Sequence, residues 1–335
     1  MLETFTLSLY MPPMPDGFLT PKRTLRSVED IISAGLASEA ARPALEAVAA
    51  RYAIALPPAL HALIQAPEDP VGLQFIPHAS ELITAPHENA DPIADEALSP
   101  LSGIVHRYPD RALLKPLLAC PVYCRFCFRR EQVGPDGGLL SDAELAAAYA
   151  YLASRPEIRE VIITGGDPLI LSPRRLGEIL RNLSAIAHVE TLRIHTRVPV
   201  ADPALITDAL AAALDIEKPL FIAAHINHAA ELTAAAVSAL RKLQRLGIPI
   251  LGQSVLLAGV NDSEEALGDL FRAMLRARIK PYYLHQLDAA PGTARFHVPP
   301  ARGRQILANL RGHISGTALP TYIYDRPGGL GKIPL

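Results

Sequence analysis

All three cysteines of this 335-residue chain fall in one stretch, Cys120-Pro-Val-Tyr-Cys124-Arg-Phe-Cys127-Phe-Arg129-Arg130, with the spacing C-x₃-C-x₂-C. Thiolates bind iron and zinc tightly, and clustered cysteines in an odd number point to metal or redox chemistry rather than to disulfides. A structural zinc site commonly closes with four protein ligands drawn from two separated pairs. The sequence holds no second pair, so a zinc knot would need a histidine such as His106. Three thiolates on a [4Fe–4S] cluster leave one iron without a protein ligand, and such an iron can bind a small molecule.

Other groups with chemical potential lie further along. Thr164-Gly165-Gly166-Asp167-Pro168-Leu169 lets backbone approach a ligand closely, although Gly-Gly-Asp-Pro is also an ordinary turn. His195-Thr-Arg197-Val-Pro199, His225-Ile-Asn227-His228 and Gln253-Ser254 add polar atoms. Any one of these histidines is more simply a hydrogen-bonded core or turn residue, but two adjacent strand ends that carry them favour a ligand-lined mouth. Lys332 stands in a glycine-rich stretch that begins at Pro327. A lysine near a C-terminus is normally a solvated charge. It can also form a Schiff base with pyridoxal 5′-phosphate (PLP), which then delocalises electrons.

These groups need elements to position them. Residues 1–95 are rich in proline and alanine and predict two or three helices and a linker, with Ser27-Val-Glu-Asp30 as a capping box. From Arg111 onward, apolar strands alternate with helices. Strands are expected over 112–118, 160–164, 191–195, 220–224, 249–255 and 282–286, with a last extended stretch over 321–324. A parallel sheet wrapped by helices follows, and a partial or full β/α barrel fits it best. The motifs fall just after strands, where such barrels place their chemistry. The chain therefore divides into an N-terminal helical region, 1–95, and an α/β barrel, 96–335, that carries the lysine segment at its end.

Composition narrows the class. Hydrophobic residues make up 50% and charged residues 20%, as in a globular protein with a sizeable core. A formal net charge of −2 gives no electrostatic case for nucleic acid. No apolar run approaches the roughly 20 residues of a membrane span. Residues 1–21 carry Glu3 and Asp16 and lack a signal peptide's basic and apolar regions, which predicts a cytoplasmic protein.

The cysteine spacing resembles the signature of the radical S-adenosylmethionine (SAM) superfamily. Together with His106–Arg111, Gly165–Pro168, His225–His228, Gln253–Leu257, Pro281–Asp288 and Asp325–Lys332, it resembles the lysine 2,3-aminomutase family from about residue 70 onward. The resemblance implies a radical SAM partial barrel with a [4Fe–4S] cluster, SAM and PLP. It also implies an amino acid substrate, a reducing electron donor, and migration of the lysine 2-amino group to C3. Carried over by position, Cys120, Cys124 and Cys127 resemble the cluster ligands and Lys332 the PLP lysine. Arg111 resembles a PLP-phosphate contact and Arg129 the arginine that pairs with the substrate carboxylate. Asp288 and Asp325 resemble the carboxylates that receive the distal ammonium. Gly165, Gly166, Asp167, His225 and Gln253 fall in the SAM neighbourhood, where the glycine motif resembles the one that holds the methionine amino group.

Two branches of the family are in play. One acts on free lysine and carries C-terminal zinc-binding cysteines; the other supplies β-lysine for modification of elongation factor P. This chain has no further cysteine and ends three residues after Lys332, so the zinc site is expected to be absent. His225–His228 and Pro281–Asp288 resemble the short branch, whereas Asp325-Arg-Pro-Gly-Gly resembles the long one. The same chemistry on another amino acid, such as glutamate, is an alternative, although Asp288 and Asp325 would repel an anionic side chain. A non-catalytic metal- or partner-binding module is the reading from another class, and a chain that takes up neither iron nor PLP would support it.

Overall fold

The computed structural model describes residues 23–326 and 331–335. Two features of the sequence, the segment 1–21 and the glycines at 328 and 329, lie outside the described residues. Nine strands form one sheet in chain order: β1 Ile104–Tyr108, β2 Arg111–Leu117, β3 Glu160–Gly165, β4 Thr191–Thr196, β5 Leu220–His225, β6 Ile250–Val255, β7 Lys280–His285, β8 Thr321–Asp325 and β9 Lys332–Pro334. Strands β2 to β8 run parallel, and β1 and β9 flank them antiparallel. Adjacent strands follow one another without a reversal of order, so the twisted sheet curls into a partial barrel of the radical SAM type.

The alternation of side chains decides what the barrel encloses. Leu192 and Ile194 on β4, Ile222 and Ala224 on β5, and Leu284 on β7 belong to the core shared with the outer helices. Successive strand residues point to opposite faces. Arg193, His195, His225, Gln253 and His285 therefore face inward, so the interior of the barrel is polar. Helices 142–153, 173–184, 208–214, 234–244 and 264–276 begin at Ser141, Ser172, Thr207, Thr233 and Ser263, whose hydroxyls accept backbone N–H groups of the first turn. Each crossover from strand to helix is thus anchored at the start of the helix. No helix among the described residues is long and apolar enough to cross a membrane.

Two edges differ from expectation. No strand is expected before residue 112, yet Ile104–Tyr108 forms β1 and turns back through Pro109 and Asp110 onto β2. Likewise Lys332–Pro334 pairs with β8, and Asp325 stands opposite Lys332. Neither strand is long or strongly apolar; each is held by its neighbour rather than by its own propensity. The capping box at Ser27 is present, and the N-terminal helices include Arg42–Ala49 and Pro58–His61. These N-terminal helices share a core that includes Val122 and Ala201, so they pack directly on the cysteine loop.

Candidate active site

Beyond β2 the chain crosses the mouth of the barrel as the cysteine loop. The glycine motif after β3 holds this loop by backbone bonds, Gly166 N–H to Leu117 O at 2.8 Å and Asp167 N–H to Ala119 O at 2.9 Å. A Cβ on Gly166 would lie 2.0 Å from Ala119 O, and Gly165 has φ +107°. The close approach that these glycines permit is therefore to the cysteine-bearing backbone. Asp167, which the resemblance puts in the SAM neighbourhood, bonds to the chain itself. Its Oδ1 accepts from Leu169 N–H (3.1 Å) and Thr196 Oγ1 (2.7 Å), and its Oδ2 accepts from Arg197 N–H (2.6 Å) and Val198 N–H (3.1 Å).

Burial pushes the Cys127 thiol up to about 11 and raises Cys120 and Cys124 as well. At Cys124 the Arg197 guanidinium opposes that rise. Bound iron would reverse the balance, because coordination deprotonates a thiol outright. His106, the alternative zinc ligand, spends its Nδ1 on the Tyr151 hydroxyl, 2.8 Å away.

Inside the barrel, the Nε2 atoms of His195, His225 and His285 are buried without a hydrogen-bond partner among the described residues. Burial holds all three rings well below the usual histidine range, so they are neutral. His225 stacks on Phe126 of the cysteine loop, with ring centroids 5.6 Å apart, and Gln253 Nε2 lies 3.5 Å from His195 Nδ1. Lys332 and Arg107 both grip Asp325, the arginine at 2.7 Å. Burial and the neighbouring Asp325 raise the Asp288 carboxyl to about 7, while Lys332, Arg129 and Arg107 oppose the rise.

Residues 114–271 match the Radical SAM superfamily. The L-lysine 2,3-aminomutase of Fusobacterium nucleatum is 36% identical over 316 residues, which is 94% of this chain and 74% of that protein. This chain belongs to the lysine 2,3-aminomutase family. Two further relatives in the family are the L-lysine 2,3-aminomutase of Bacillus subtilis, 40% identical over 80% of this chain, and the glutamate 2,3-aminomutase of Clostridioides difficile, 38% identical over 80%. The chain spans 57% of the first of these proteins and 63% of the second.

The family's cofactors are a [4Fe–4S] cluster, SAM and PLP, and the donors present fit them. Three soft thiol donors share one loop, and the unpartnered histidine nitrogens mark an interior built to face polar atoms. Among the described residues no three His, Cys, Asp or Glu side chains converge closely enough to share one metal ion. A cluster ligated iron by iron does not require that. Three of the residues expected to contact ligands also have partners within the chain. Arg129 pairs with Asp95 at 2.8 Å, Asp325 with Lys332 and Arg107, and Arg111 lies over the Tyr108 ring at 4.3 Å. Asp95, Arg107 and Arg193 were not singled out from the sequence. Arg107 and Arg193 carried a usable signal, since each lies on the same strand as a motif histidine.

Behind the cysteine loop sits a buried ionic cluster that no motif announced. Glu81 is fully buried and pairs with Arg125 at 2.5 Å, with Arg130, and with Arg295 at 3.9 Å. Arg130 also covers the Tyr52 ring at 3.6 Å, and its Nη1 donates to Arg125 O at 2.8 Å. Glu81 thereby ties the N-terminal helices to both sides of Cys127. In Glu81→Gln the arginines lose their shared counter-charge, and uncovering a buried charge costs about 3–5 kcal/mol. We expect the urea midpoint to fall accordingly at pH 7; an unchanged midpoint would mean that the arginines are neutralised elsewhere. Burial disfavours the Glu81 charge, but the arginines outweigh it and hold the carboxyl below its usual value. Its stabilisation is thus present above the unfolded glutamate value of about 4.3 and is lost as pH falls from there.

Proposed function

We propose that this chain is a SAM- and PLP-dependent aminomutase that converts L-lysine to β-lysine by 2,3-amino migration. The observation that carries this reading is the pair of carboxylates, Asp288 and Asp325, gathered beside Lys332 within one polar barrel whose mouth is crossed by the three-cysteine loop. The bound cofactors would supply a hydrogen-abstracting radical and electron delocalisation next to the migrating nitrogen. The chain's own groups bind and orient. Arg129, steadied by Asp95, presents a planar fork suited to a carboxylate. Arg107 keeps Asp325 Oδ1, and Asp325 Oδ2 becomes available to a cationic substrate once Lys332 is no longer an ammonium. Glutamate would bring a third negative charge to the carboxylate pair, which disfavours it. The protein then works in the cytoplasm with a small-molecule substrate and a reducing electron donor. The resemblance of 225–228 and 281–288 to the short branch favours delivery of the product to elongation factor P modification. Anaerobic incubation with lysine, SAM and dithionite should yield β-lysine; turnover of glutamate but not lysine would overturn the assignment.

The carboxylates allow a selective test. A hydrogen bond to a charged group is worth about 1.5–3 kcal/mol, so Asp288→Asn or Asp325→Asn should lower lysine turnover by roughly one to two orders of magnitude. Cluster content and PLP loading should stay near those of the wild type. Unchanged turnover in both variants would remove the reason for choosing lysine. The raised Asp288 carboxyl adds a pH dependence, because its charge appears only as pH rises through about 7. Lysine binding should therefore strengthen across that interval, and Asp288→Asn should flatten the profile. For stability the sign is opposite. The folded state holds this proton more tightly than the unfolded state does, so Asp288 lowers stability as pH climbs from about 4 towards 7.

A further inference from the structure

We propose that Arg197 is a positioning residue that sets the reduction potential of the iron–sulfur cluster through a hydrogen bond to the Cys124 sulfur. The inference rests on the reading that the three cysteines hold that cluster. Arg197 follows β4 directly, and its backbone N–H is pinned by Asp167 Oδ2 at 2.6 Å. The guanidinium lies over the Phe75 ring at 4.6 Å and the Phe126 ring at 5.6 Å. From this slot Nη1 donates to Cys124 Sγ at 3.0 Å, while Nη2 donates to Gln74 Oε1 at 2.6 Å and Glu231 Oε2 at 2.8 Å.

The partners of Arg197 are themselves fixed. Glu231 is fully buried, and its Oε1 accepts from the backbone N–H groups of Asn227 at 3.0 Å and His228 at 2.9 Å. Gln74 is equally buried and its Oε1 also accepts from Asn227 Nδ2 at 3.0 Å. Glu231 offsets part of the arginine's charge, so Cys124 meets both a directed N–H donor and a residual positive field. Reduction adds negative charge that spreads onto the thiolates, and a donor to one of them gains strength with that charge. Hydrogen bonds to cluster sulfurs are among the factors that set the potential. Removing this one should make the cluster harder to reduce. Both terminal nitrogens are committed to chain atoms, and only Nε has no hydrogen-bond partner among the described residues.

The test uses anaerobically reconstituted wild type, Arg197→Gln and Arg197→Lys. Iron and sulfide are counted, SAM binding is measured by equilibrium dialysis, and the midpoint potential is read by EPR-monitored titration. Arg197→Gln should load its cluster and bind SAM normally but show a midpoint displaced to negative values by a tenfold change in the one-electron equilibrium, which is 59 mV. Arg197→Lys, which keeps the charge but not the fork, should fall between. A loaded Arg197→Gln with the wild-type midpoint would overturn the proposal, as would weakened SAM binding with an unmoved potential. If Arg197→Gln does not load, a loaded Arg197→Lys with the wild-type midpoint overturns it, and failure of both variants to load makes Arg197 purely structural. A wild-type chain that takes up no iron would remove the reading of the site itself, and is thereby distinguishable from these results.

Discussion

Cys124→Ala should take up no stable [4Fe–4S] cluster and should cleave no SAM. On the proposed reading each thiol of the loop would serve as one of three iron ligands, and the sequence offers no other cysteine to replace it. The same result is expected for Cys120→Ala and Cys127→Ala. Cys124 is the most informative because Arg197, Glu231 and Gln74 form a buried polar network around its sulfur. A sulfur-to-methyl change there leaves the Arg197 donor facing an apolar group, so some destabilisation accompanies the loss of iron. Iron and sulfide content, visible absorbance and 5′-deoxyadenosine release after dithionite separate the two effects. A Cys124→Ala chain that still cleaves SAM would sink the radical SAM reading of this loop.

Lys332→Ala should abolish covalent capture of PLP and, with it, lysine turnover. In the wild type, borohydride is expected to fix a pyridoxyl group on Lys332, identified by peptide mapping. The variant should load its iron–sulfur cluster normally, because β9 and the cysteine loop are separate segments. Lys332 is also one of two cations that hold Asp325, so its removal leaves Asp325 to Arg107 alone. The remaining pair has little exposure on either side and should keep β8 in place. Mapping of the pyridoxyl group to a different lysine would contradict the assignment. A collapse of cluster loading in Lys332→Ala would show instead that β9 is needed to hold the barrel together.

Much of the site was legible because its chemistry depends on residue types at short spacing. Three cysteines within eight positions must share a loop, and a glycine pair after an apolar strand must turn tightly wherever the strand lies. Such signals do not reveal what the turn faces. Gly165 and Gly166 read as a ligand contact, and the sequence does not show that Lys115, Leu117 and Ala119 also approach them closely enough to exclude a side chain. Asp167 is similar, since a carboxylate after a strand can serve a ligand or the next turn, and only the position of Thr196 and Arg197 reveals the chain groups that it meets.

The sequence by itself determined the βα alternation, the polar strand ends and the clustered thiols, because periodicity and local spacing are properties of neighbouring residues. Tertiary structure alone decided the pairings among distant charges. Arg107 meets Asp325 across 218 positions, Arg129 meets Asp95 across 34, and Arg197 reaches Gln74 across 123. A buried arginine is held by whichever carboxylate or amide the fold carries to it, and the cost of leaving such a charge unpaired makes the match obligatory without writing it into either local sequence. The edge strands β1 and β9 follow the same logic. Their backbone groups are satisfied by a neighbouring strand, so they exist as strands only once the barrel has formed beside them.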